Sequence, residues 1–98
     1  MQPATAEWIA KAEGDFTTAL REYRARKSPN YDATCFHAQQ CAEKYLKALL
    51  QEANIVFDKT HDLVRLLNLL PPTIGLAALR GNMALLSAAA VEYRYPGE

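Results

Sequence analysis

Charge of one sign is what this 98-residue chain most plainly lacks: 11 basic residues meet 11 acidic ones. That balance argues against a strongly electrostatic, sequence-indifferent nucleic-acid binder, while leaving a local patch open. Long apolar runs are also missing. None approaches the roughly 20 residues of a membrane span, and Met1-Gln2-Pro3 has neither the basic nor the apolar region of a signal peptide. The expectation is a soluble, cytoplasmic protein with no membrane partner. Runs of Val, Ile and Thr are scarce, which speaks against strands, and the four glycines and five prolines fall mostly at breaks.

Cysteine is scarce too. Cys35 and Cys41 lie six residues apart, so on one helix they point about 120° away from each other across about 9 Å of rise. A disulfide between them is excluded in that geometry, and free thiols fit a reducing compartment. With His37 and His61 they are the only zinc-type ligands. Cys35 points away from the face that His37 and Cys41 share, so no metal site is expected. There is no glycine-rich phosphate loop and no serine, histidine and acid set at a recognisable spacing, so no catalytic residue and no cofactor are assigned.

What is present is helical periodicity. Half of the residues are hydrophobic, with alanine and leucine dominant. Thr5 is expected to cap a first helix in which Trp8, Ile9, Ala12, Phe16, Ala19, Leu20 and Tyr23 recur at helical steps. Glu7 with Lys11 and Glu22 with Arg26 are spaced as i,i+4 pairs, and Arg24, Arg26 and Lys27 gather at its end. Ser28-Pro29-Asn30 stops it. A second helix, capped by Asn30 or Asp32, runs to about Ala53, with Asn54 as its stop. Thr60 is expected to cap a short third helix carrying Leu63, Leu66, Leu67 and Leu70, ended by Pro71-Pro72. Thr73 opens a fourth, with Leu76, Leu79, Met83, Leu86, Ala90 and Tyr93 on one face and Gly75 and Gly81 weakening it. Residues 1–98 thus read as one all-α domain, an antiparallel up-down bundle of about four helices.

The second helix has two faces. Ala38, Cys41, Ala42, Tyr45, Leu46, Leu49, Leu50 and Ala53 form a wide apolar stripe suited to burial. His37, Gln40, Lys44, Lys47 and Gln51 form a polar stripe about a quarter-turn away. Lysines supply point charges for phosphate, and histidine and glutamine supply donors for phosphate, ribose or base. A solvated face explains the same pattern without a ligand. His61-Asp62 reads either as an acid–base pair or as a capped helix start, and Tyr93-Arg94-Tyr95 either as a stacking and phosphate contact or as packing with a C-terminal cation.

Three blocks carry a family likeness: Trp8-Ile9-Ala10-Lys11-Ala12-Glu13-Gly14-Asp15-Phe16, the stretch from Phe36 to Leu50 with Gln39-Gln40 and Glu43-Lys44, and Thr60-His61-Asp62-Leu63. With the closing Tyr93-Arg94-Tyr95-Pro96 they span nearly the whole chain. In these blocks the chain resembles HEPN domains, small helical bundles associated with nucleotide or RNA binding. The resemblance implies a homodimer, and pairing with a minimal nucleotidyltransferase in a two-component, toxin–antitoxin-like module. It makes His37, Gln40, Lys44, Lys47, His61 and Arg94 the candidate nucleotide-binding residues. Family ribonucleases carry an arginine followed after four to six residues by a histidine. Here His37 is preceded at those positions by Asn30, Tyr31 and Asp32, and His61 by Asn54, Ile55 and Val56, so the motif is not complete. Many relatives continue into another helix after Arg-Tyr-Pro, so the resemblance leaves two expectations open: a short variant of the bundle, or a piece of a longer chain that lacks a C-terminal helix. The expectation is a non-catalytic binding subunit; a ribonuclease toxin and a pure protein-interaction module are the alternatives.

Overall fold

A computed structural model describes residues 1–71 of the chain. Three α-helices are formed there and no strand: α1 (Pro3–Tyr23), α2 (Tyr31–Glu52) and α3 (Leu63–Leu69). The fourth helix read from the sequence, and Arg94 with it, lie outside the described residues.

Helix α1 begins three residues earlier than the Thr5 cap would place it, with Gln2 at the cap position. Pro3 occupies the first helical position, where its missing N–H is no loss and its fixed φ suits the helix. Thr5 is buried within the first turn rather than capping it. The helix ends at Tyr23, so Arg26 lies beyond it. The i,i+4 pairing expected with Glu22 has no helix to support it, whereas Lys11 and Glu7 do pair, at 3.5 Å.

Helix α2 is capped by Asn30, whose side chain accepts a hydrogen bond from the Ala33 N–H at 3.0 Å. Its other end closes as a Schellman motif. The Ile55 N–H donates to the Leu50 carbonyl at 2.9 Å and the Asn54 N–H to the Gln51 carbonyl at 3.1 Å. Asn54 takes the left-handed conformation, φ 59°, that this turn requires and that asparagine tolerates better than most residues.

The two long helices are antiparallel. Gln2, ahead of α1, is fastened to the end of α2: its N–H donates to Glu52 Oε1 at 3.0 Å and its Nε2 to Asn54 Oδ1 at 2.9 Å. Helix α3 is capped by Asp62, which accepts from the N–H groups of Val64 and Arg65, and not by Thr60, whose hydroxyl instead accepts from the Asp62 N–H. Its leucines meet α2 in the main apolar cluster of Leu46, Leu50, Leu63, Leu66, Leu67 and Leu70, with Ala42, Ile55 and Phe57 packed against it. Burying each such side chain contributes roughly 1.5–3 kcal/mol before ordering costs.

The apolar stripe of α2 is only partly used. Cys41, Leu46 and Leu50 are buried, but Tyr45 and Leu49 remain exposed and Ala53 is in solvent. Gln39, Glu43 and Lys47 are buried instead. The polar side of α2 thus packs inward, because the charges it carries are matched there pair by pair.

Candidate functional site

Two carboxylates organise that polar side. Asp15, on α1, bridges two residues of α2: its Oδ1 accepts from His37 Nδ1 at 2.8 Å and its Oδ2 from the Lys44 ammonium. Glu43 repeats the arrangement: its Oε2 accepts from Lys47 Nζ at 3.0 Å and its Oε1 from His61 Nδ1 at 2.9 Å. Gln39 completes the second cluster, donating to Glu43 Oε1 at 3.3 Å and to the His61 backbone carbonyl at 3.1 Å, and Gln40 Nε2 donates to the Gln39 side-chain Oε1 at 3.2 Å.

Five of the six candidate residues are therefore gathered on two acids. His37 and Lys44 meet at Asp15; Lys47 and His61 meet at Glu43, with Gln40 attached through Gln39. Asp15 and Glu43 both lie in the blocks that carry the family likeness, yet neither is among the residues expected to bind. Glu43 had a signal in its i,i+4 spacing to Lys47, while Asp15 had none, because its partners lie on another helix.

The chemistry of the two histidines follows. An ionised carboxylate only accepts hydrogen bonds, so each Nδ1 carries a proton. Each ring is thereby oriented through its Nδ1. The His61 side chain is 70% exposed, whereas the Glu43 and Lys47 side chains behind it are 3% and 7% exposed. Lys47 also lies with its ammonium 5.4 Å from the centre of the Trp8 ring, a cation–π contact that helps hold it inside. Trp8 packs edge-on against Phe57 at 6.1 Å.

Electrostatics divide the labour. With neutral imidazoles each cluster holds one ammonium and one carboxylate and carries no net charge; a protonated imidazole makes it positive. At Asp15 burial pushes the pKa upward, but hydrogen bonds and charge from Lys44 and His37 outweigh it, and the carboxyl is held below its ordinary value of 3.8. Beside it, burial and the Asp15 charge push the Cys41 thiol upward, with Lys44 opposing. Cys41 is buried and unreactive in character, and both cysteines are free. Among the described residues no group of acids, histidines and cysteines is arranged to hold a metal ion, and no helix is long and apolar enough to cross a membrane.

The described residues form a helical hairpin with a short third helix, joined by two carboxylate, imidazole and ammonium clusters. The chain belongs to the HEPN domain family, whose profile matches residues 5–98. No curated protein and no solved structure matches it significantly.

Proposed function

We propose that this HEPN domain binds a nucleotide or an RNA end through His37, Gln40, Lys44 and His61, with Arg94 as a further phosphate contact. The observation that carries the reading is the pair of imidazoles whose Nδ1 atoms are fixed by Asp15 and Glu43. Each presents an Nε2 of defined position to a phosphate, ribose hydroxyl or base edge. Lys47 serves the same site through Glu43, holding the carboxylate that orients His61 rather than reaching the ligand itself.

The domain acts as the binding subunit of a homodimer, beside a minimal nucleotidyltransferase in a two-component, toxin–antitoxin-like module in the cytoplasm. The family assignment supports this pairing, and the absence of a complete arginine-to-histidine motif around His37 and His61 supports a binding rather than a nuclease role.

Calorimetric titration with ATP, GTP and a short RNA, on protein whose oligomeric state is fixed by light scattering, tests the proposal. Saturable binding that is lost in folded His37→Ala/Lys44→Ala protein is expected. Equal affinity in that variant contradicts it.

A further inference from the structure

The turn that closes the α1–α2 hairpin carries a combination the histidine face does not use. Tyr23 is the last residue of α1 and Tyr31 the first of α2. Their rings lie 6.3 Å apart at 54°, yet the two residues are 64% and 58% exposed. Arg24, Arg26 and Lys27 stand in the turn between them and Arg21 just before it, all exposed. Glu22 and Asp32 are the acids of the same segment, so residues 21–32 hold four cations against two carboxylates in a chain whose net charge is zero. Among the described residues, none of the four cations is in a salt bridge.

The turn is also fastened. Ser28 takes a left-handed φ of 47°, Pro29 follows it, and Asn30 caps α2 through the Ala33 N–H. The Arg24 N–H closes α1 on the Leu20 carbonyl at 3.0 Å. The two rings are therefore placed in advance, at little ordering cost to a ligand. Beside them, Phe16, Thr17, Leu20, Arg21 and Arg24 line an open hollow of about 250 Å³.

Exposed aromatic faces interleaved with unpaired cations are the chemistry that holds a single strand: bases stack on the rings and phosphates meet the cations. An apolar protein partner would match the rings but not four cations. We propose that this turn is a contact edge for single-stranded RNA, with Tyr23 and Tyr31 stacking bases and Arg24, Arg26 and Lys27 holding phosphates. The proposal rests on the nucleotide or RNA reading above but on different residues. His37 lies six residues past Tyr31, about 9 Å of helix rise, so the Asp15 cluster and the turn belong to the same half of the hairpin.

The test is fluorescence anisotropy of the full chain with an end-labelled oligouridylate between 50 and 200 mM salt, with ATP titrated in parallel. Tyr23→Leu/Tyr31→Leu keeps apolar bulk and removes the aromatic faces; Tyr23→Phe/Tyr31→Phe keeps the faces. The leucine variant is expected to bind RNA about tenfold or more weakly, the phenylalanine variant close to wild type, and both to bind ATP as wild type does. Arg24→Gln/Arg26→Gln/Lys27→Gln is expected to reduce the log–log salt slope by about 2, at about 0.7 per phosphate contact.

RNA binding unchanged in the leucine variant overturns the proposal. So does ATP binding without RNA binding, which leaves the histidine site standing. Loss of both ligands by wild type overturns the two readings together. A change of oligomeric state in the leucine variant with no RNA affinity at all in wild type assigns the turn to a protein interface instead.

Discussion

Glu43 precedes Lys47 by one turn of α2, and its Oε2 accepts a hydrogen bond from the lysine Nζ at 3.0 Å with both side chains almost wholly out of solvent. Such a pair is stable only while both members remain. Removing one strands a desolvated charge, at a cost of about 3–5 kcal/mol. Glu43→Ala is expected to lower stability by about that amount, a large part of the roughly 5–15 kcal/mol typical of a domain. Glu43→Met with Lys47→Leu restores most of it. Urea unfolding followed by circular dichroism reads both; an equal loss in the single and double variants would show that packing alone is at stake.

Asp15 ties stability to acid. Its folded pKa lies below the ordinary carboxylate value, because Lys44 and His37 outweigh the opposing effect of burial. The stabilisation it contributes is therefore complete above about pH 4 and is lost as pH falls through the lower folded value. Wild type is expected to show a urea midpoint that drops in this acid range. Asp15→Asn should be less stable at neutral pH and should show a shallower acid drop; a drop of the same size in both would remove Asp15 as a cause.

The thiols should separate by rate. Cys41 is buried and its thiol is pushed upward, chiefly by that burial, whereas Cys35 is only partly covered. Iodoacetamide in native buffer is expected to modify Cys35 first and Cys41 at least tenfold more slowly, because the thiolate is the reacting species. Mass spectrometry of tryptic peptides follows each site. Equal rates in folded protein would contradict the placement of Cys41 against α1.

The helices were legible because their signals are local. The period of Trp8 to Tyr23, the Asn30 cap and the Asn54 stop all follow from neighbouring residues, and the structure has the ends of α2 within a residue or two of those expected, while α1 starts three residues before its expected start and ends short of Arg24, Arg26 and Lys27. The faces were less legible. Hydropathy assigns Tyr45 and Leu49 to the interior and Lys47 to water, and the structure reverses this. A lysine can be buried when a carboxylate waits for it, and one of the two carboxylates, Asp15, is 29 residues from its lysine. Spacing along one helix cannot reveal a partner on another. The histidines stood out by their rarity; the acids that orient them did not.

His37 and His61, held by Asp15 and Glu43, are the groups proposed to read an anionic ligand. Asp15 and Glu43 hold the two Nδ1 atoms, so each ring offers a ligand its Nε2, with Lys44 and Arg94 as the proposed cationic contacts. The most direct measurement is calorimetry of ATP binding by wild type and by folded His37→Ala/His61→Ala protein, side by side. Saturable binding by wild type that is about tenfold or more weaker in the variant is the predicted result. Affinity undiminished in that variant would contradict it.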